Sequence, residues 1–398
     1  MFLGKTQNMK KSLLLLLLSC FTLLNAQNPN LTDEAKISIL TIGPGSSLND
    51  NFGHNGFRVK TGYIDIVYNY GVYDFDTPNF YTKFAQGKLN YLLGVSYYED
   101  FEKAYIKQNR TIKEQVLNLN QDQKRAFYSF LLNNSKPENR AYLYDFFYDN
   151  CATRIRDVSE TVLKNNISYK TPKSYNEETF RTLIHKNLNW NSWGSFGIDL
   201  ALGSVIDRTA TPREYMFLPE YIYDFFEEAS FKNTDKPIVK EAKLIYEEKA
   251  NENQSYFFTS PLFVFILIGI IIILITYKDN KSSKRTKVLD IVLFSLLGLI
   301  GVLLLLLWFA TDHTATAYNY NLLWAFPLSL FVVIQVIKKE PKKWFLAYLK
   351  FLILMLCLMT LHWIIGVQRF APVLIPLIVA FAIRYIYLLK FYKEKGRI

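Results

Sequence analysis

Cysteine is scarce in this chain: 398 residues hold three. Cys20 and Cys357 lie in apolar runs, so only Cys151 stands in polar sequence. A disulfide framework is excluded, because an exported fold that needs stapling carries an even set. Histidine is nearly as rare, with four, and only His54 and His185 fall outside the apolar C-terminal part. There is no HExxH, no paired cysteine motif and no close His/Asp cluster, so neither a metal nor a cofactor is expected. No glycine-rich phosphate loop opens a helix after a strand, which removes the nucleotide-binding classes. Basic charge is lacking where a nucleic acid would need it. The net +11 resides in residues 257–398, whereas 27–256 are slightly acidic at −3, and no nucleic-acid partner is expected.

The chain does have a leader and a membrane part. Lys5, Lys10 and Lys11 precede a leucine run that ends at Leu24-Asn25-Ala26, the pattern of a secretory signal over residues 1–26. Cleavage after Ala26 fits better than a lipidation box at Cys20, because the apolar run continues past that cysteine. Residues 27–256 then form an exported domain, and Lys236 to Asn253 reads as a charged helical stalk into the membrane. Five apolar segments follow, at 257–277, 288–310, 318–337, 344–367 and 371–389, each approaching the roughly 20 residues needed to cross a bilayer. The loops at 278–287 and 338–343 and the tail from 390 hold thirteen lysines and arginines, against Arg369 alone on the other side. By the positive-inside rule the C-terminus is cytoplasmic and the first span is entered from outside, in agreement with the leader.

Within the exported domain, Ile37 to Ile42 is β-branched and ends at Gly43-Pro44-Gly45, as a strand and turn do. Two further strands follow, joined at Lys60-Thr61-Gly62, and His54 lies on this sheet. Ile112 to Leu119 reads as another strand. Asn120 caps a helix running through Leu132, and Cys151, Ile155, Val158 and Val162 recur at helical spacing. Cys151 therefore opens a helix, where unpaired N–H groups and the helix dipole favour a thiolate. An external thiol without a disulfide partner and an external imidazole make a nucleophile–base pair suited to acyl chemistry. Asn150 offers an amide to an oxyanion, and Gly53 and Gly56 allow close backbone approach.

Several motifs point further. They are Gly43-Pro44-Gly45, Phe52-Gly53-His54 with Arg58, Asn69-Tyr70-Gly71, Phe146-Phe147-Tyr148-Asp149-Asn150-Cys151-Ala152-Thr153-Arg154, Gly203 with Asp207-Arg208, and Phe217-Leu218-Pro219. The order of histidine before cysteine resembles the circularly permuted papain-like folds, among them the lecithin:retinol acyltransferase family. The whole mature chain more closely resembles the Lnb-type lipoprotein N-acyltransferase family of Bacteroidetes. That resemblance implies an α+β fold: a periplasmic, permuted papain-like thiol domain followed by a five-helix transmembrane bundle in the inner membrane. It implies transfer of an acyl chain from a phospholipid, through a Cys151 thioester, to the α-amino group of a diacylated lipoprotein, with His54 as base and then acid.

A third group orients such a histidine, and Asn69 and Asp65 are the candidates. Arg58, Arg154 and Arg156 either hold phosphate or form salt bridges. His313, His362, Asn319 and Asn321 fall at the outer ends of spans, as substrate contacts or interfacial anchors, and Arg369 is placed to meet a lipid phosphate. Two rival readings are a membrane-tethered cysteine peptidase or cell-wall amidase, and a receptor carrying a degenerate thiol domain. Five spans favour lipid substrates over the hydrolase, which needs only one tether, whereas loss of function in Cys151→Ser and His54→Ala would separate the enzyme from the receptor.

Overall fold

A computed structural model describes residues 31–250 and 257–394; the leader at 1–26, including Cys20, lies outside them. The N-terminal unit is built on a seven-stranded antiparallel sheet in the order β6-β4-β3-β2-β1-β5-β9. Its strands are β1 (Lys36–Ile42), β2 (His54–Thr61), β3 (Ile64–Val72), β4 (Asn90–Tyr97), β5 (Ile112–Leu117), β6 (Ala141–Leu143) and β9 (Val239–Tyr246), while β7 (Ile167–Ser168) and β8 (Ser230–Phe231) pair separately. The central strands β1 and β2 are buried almost throughout, with Ile37, Ile39, Phe57 and Val59 fully enclosed. At about 1.5–3 kcal/mol for each such side chain, these strands anchor the sheet.

Helix α1 (Phe80–Ala85) lies between β3 and β4, and α2 (Tyr98–Lys107) follows β4. Helix α3 (Gln121–Asn134) starts at a capping box: Asn120 accepts from the Gln123 N–H, and the Gln123 side chain accepts from that of Asn120. Helix α4 (Cys151–Val162) lays Ala152, Ile155 and Val158 against the sheet. Helices α5 (Phe180–His185), α6 (Trp193–Ala201) and α7 (Pro219–Glu227) complete the unit.

The expected stalk is instead strand β9. Residues Val239–Tyr246 pair antiparallel with β5 at the sheet edge. Both of their faces are largely exposed, so they carry no apolar stripe, and Lys240, Glu241 and Lys243 are of the kind that protect an edge from further pairing.

The C-terminal unit contains α8 (Pro261–Ser282), α9 (Lys287–Phe309), α10 (Ser329–Ile337), α11 (Trp344–Ile365) and α12 (Ile375–Glu394). Four helices are long and apolar enough to cross a membrane: α8, α9, α11 and the stretch Pro372–Glu394 that contains α12. The third expected span departs from a continuous helix. Residues 318–337 form a 3-10 turn at Tyr320–Leu323, an irregular stretch at Pro327 and then the nine-residue α10. Proline lacks the N–H that a helix interior needs and disfavours helical geometry at the residue before it. The segment still runs the length of the bundle. Asn321 bonds to α6 at one end, and the Val336 carbonyl accepts from Arg285, between α8 and α9, at the other. Near that end the fully buried Arg384 is neutralised by Asp290 at 2.7 Å and Asp279 at 2.8 Å, as a charge held inside a bundle must be.

The two units are joined closely. Asn319 Nδ2 donates to the Leu200 and Ala201 carbonyls, and Asn321 Nδ2 donates to those of Asp199 and Leu200. The C-terminal end of α6 thereby finds donors for its free carbonyls in the other unit, while Phe196 and Leu200 pack into the membrane-domain core.

Candidate active site

Helix α4 brings Cys151 over the start of β2, where His54 is the first residue. The thiol and imidazole lie close enough to shift each other's protonation. His54 Nε2 also bonds Asn69 Oδ1, which leaves Nδ1 for the thiol. Strand register explains why Asn69 is the partner. Phe57 pairs with Tyr68, and one further step sets Asn69 against Gly56, on the face that carries His54. Gly71 lies just beyond, at φ 92°. A Cβ there would meet that of Cys151 at 3.7 Å and the His54 ring at 4.0 Å, ordinary contact distances, so it is the positive φ at a bulge against β4 that calls for glycine.

Asn150 is the N-cap of α4. Its Oδ1 accepts from the Ala152 and Thr153 N–H groups, both at 2.9 Å, and its Nδ2 donates to the Phe146 and Phe217 carbonyls. All its amide atoms are committed, so the expectation that it serves an oxyanion fails: its position is set by capping. The Cys151 N–H, first in the helix, lacks an intrahelical acceptor by geometry. Asn150→Ala would remove the cap and the buried carbonyl contacts, and a loss of about 1–3 kcal/mol is expected in chemical unfolding. Unchanged stability would contradict this role.

Burial alone pushes the Cys151 thiol up, but facing His54 and accepting N–H groups from Asn55 and Ala152 bring it below the ordinary thiol value. Burial pulls His54 down, yet Cys151 and Asn69 raise the imidazole above its usual value. Each group therefore favours the charged form of the other, thiolate beside imidazolium. As pH rises, the reactive thiolate appears once the depressed thiol pKa is passed, and the imidazolium is lost above the raised imidazole pKa. Iodoacetamide alkylation of Cys151 should accordingly begin below the pH expected of a free thiol. In His54→Ala that onset should move alkaline, because burial is then opposed only by the Asn55 and Ala152 N–H groups. An onset unmoved by this substitution would refute the coupling.

The pair opens into a cavity of about 760 Å³. Phe52, Tyr73, Phe84, Phe146 and Leu202 contribute apolar walls from the N-terminal unit, and Leu307 with residues 312–316 supplies a wall from the membrane domain. This is a largely apolar enclosure of small-ligand size with a nucleophile at one side.

Other expected residues lie elsewhere. Asp65 is bonded bidentately to Arg58 at 2.7 Å, toward the opposite end of the β2–β3 hairpin from His54, so it does not orient the imidazole. Arg58 also bonds Glu114 and lies 3.3 Å over the Tyr98 ring, which leaves it no freedom for a substrate. Arg154 pairs with Asp149 and covers Tyr142, and Arg156 pairs with Asp157. His185 bonds Asp199, which also binds the buried Arg181. His313 lines the cavity. His362 packs edge-on to Tyr320, and Arg369 is exposed with its backbone N–H on Asp207; neither of the two lines the cavity.

Sequence reasoning missed Tyr105, whose ring stacks on His54, and Arg110, which holds the Gly43 carbonyl and Asp50 beside it. It also missed Tyr142 and Tyr144. Burial, with Cys151 nearby, raises both phenols and keeps them neutral. No local pattern marks any of these four, because long-range packing brings them to the site. Among the described residues, no group of three or more His, Cys, Asp or Glu converges as a metal site requires.

Fold and site together define a protein with a thiol–imidazole domain seated on a helical membrane domain. Residues 25–186 match the Lnb N-terminal periplasmic domain and residues 251–395 match the Lnb transmembrane domain. The chain belongs to the Lnb family, whose two domains mark a lipoprotein-processing membrane enzyme. No curated protein and no solved structure matches it.

Proposed function

We propose that this protein is a lipoprotein N-acyltransferase of the inner membrane, with its C-terminus in the cytoplasm. The observation that carries the reading is the thiol–imidazole pair opening into an apolar cavity whose far wall belongs to the membrane domain. A hydrolase acting on soluble substrates needs only a tether. A cavity shared with membrane helices suits a substrate that arrives with an acyl chain.

In this reading the Cys151 thiolate attacks an ester carbonyl of a phospholipid. The Cys151 N–H faces the oxyanion, the ester C–O bond breaks, and the His54 imidazolium protonates the departing lysophospholipid oxygen. The α-amino group of a diacylated lipoprotein then attacks the thioester. The C–S bond breaks, the thiolate returns, and His54 takes the amine proton. Asn69 holds the imidazole in register, as a third member does in related catalytic groups.

The test incubates purified protein with phospholipid and a diacylated lipopeptide and weighs the peptide by mass spectrometry. A gain of one acyl chain on the amino group is expected. Peptide cleavage without acyl gain would replace the proposal with the amidase reading.

A further inference from the structure

Residues 72–88, which carry α1 between β3 and β4, present unusual apolar surface. Phe75 is 66% exposed, Tyr81 79% and Phe84 52%. Phe75 and Tyr81 gather about Phe80, with ring centroids 4.8 and 5.3 Å away. The exposure is therefore one contiguous patch, of the sort that marks a contact surface.

The membrane domain fixes where this patch sits. The Asp312 N–H donates to the Gln86 carbonyl at 2.8 Å, and His313 Nε2 donates to the Phe84 carbonyl at 3.2 Å. Both donors lie just past the outer end of α9 at Phe309. Gly87 permits the contact: its φ is 70°, and a Cβ there would meet the His313 nitrogen at 3.0 Å. The lobe is thus tied at the level where a membrane-spanning helix ends. Lys83 and Lys88 flank the rings, as cations do on segments lying in a lipid interface. Across the cavity, Trp193 of α6 is half exposed and its Nε1 donates to the Thr259 carbonyl, just ahead of α8. Phe84 and Trp193 both line the cavity.

We propose that segment 72–88 is seated in the outer leaflet of the membrane, and that the gap between α1 and α6 is a lateral doorway from the bilayer to the Cys151 cavity. The doorway rests on the acyltransferase reading; the seating does not. Lipid is the occupant because the patch is tied through Phe84 and Gln86 to the loop that follows membrane-spanning α9, and Lys83 and Lys88 stand beside its rings in the sequence.

The experiment places p-benzoylphenylalanine at position 81 or 84 of the full chain, reconstituted in vesicles of phosphatidylethanolamine and phosphatidylglycerol. Position 63, fully exposed at the end of the β2–β3 hairpin remote from His54, serves as the contrast. Irradiation should give phospholipid adducts, seen by intact mass, at 81 and 84 and not at 63. Crosslinks to a second copy of the chain would overturn the seating. So would an absence of lipid adducts at 81 and 84 while position 270, exposed on α8, gives them. For the doorway, Phe84→Asp should slow acylation of Cys151 by phospholipid about tenfold or more while leaving iodoacetamide alkylation of Cys151 unchanged. Equal acylation rates would overturn it. Lipid adducts at 81 without any acyl transfer to lipopeptide would support the seating and remove the acyltransferase reading.

Discussion

Cys151→Ser and His54→Ala are each expected to lower acyl transfer to a lipopeptide by on the order of 10³-fold or more, with the double variant no slower than the worse single one. The non-additivity is the informative part. Thiol and imidazole each stabilise the charged form of the other, so removing either abolishes the same activated nucleophile. The serine variant is nearly isosteric in its buried site, and its hydroxyl can still meet His54 and the Asn55 and Ala152 N–H groups. Its melting temperature should therefore remain within a few degrees of the parent. Mass spectrometry of the lipopeptide, with the melting curve beside it, decides the matter. Activity retained in both single variants would remove the thiol chemistry altogether and restore the receptor reading.

The second large effect comes from a position that does no chemistry. Gly197 lies on α6 and lines the cavity, and a Cβ added there would meet nothing within 4 Å. Gly197→Phe places a ring in that open space, and in a helix interior it removes a glycine penalty of about 1 kcal/mol relative to alanine. Transfer of a long acyl chain should fall about 100-fold, while iodoacetamide alkylation of Cys151 and the melting temperature stay close to the parent values. A short-chain donor should recover much of the lost rate. Equal losses for short and long donors would show that the cavity does not hold the chain.

Much of the site was legible because its signals are local. The helix beginning at Cys151 follows from the spacing of Ile155, Val158 and Val162, and Asn120 identified the start of α3 by its capping chemistry. What failed depended on register and packing. Asp65 and Asn69 lie on one strand at the same parity, and only the pairing of β2 with β3 puts Asn69 beside His54 and Asp65 beside Arg58. Asn150 was read from its neighbour in sequence, whereas its amide is consumed by capping and by Phe217, distant in the chain. Strand β9 escaped notice because an edge strand exposed on both faces has no apolar alternation to read. The third crossing was misread as one helix because hydropathy counts residues and ignores the backbone break around Pro327.

The joint made by Asn319 and Asn321 with the end of α6 has a consequence for how the protein is made. The carbonyls of Leu200 and Ala201 accept from Asn319 of the membrane domain, and Phe196 and Leu200 pack into that domain's core. Synthesis runs from the N-terminus, so during biogenesis the exported domain emerges with this surface open and stays incomplete until the segment at 319–321 has been threaded to the outer side. Membrane insertion thus doubles as a step in building the cavity, and a chain arrested before its second crossing would hold its thiol in a vessel lacking the wall that Leu307 and residues 312–316 supply.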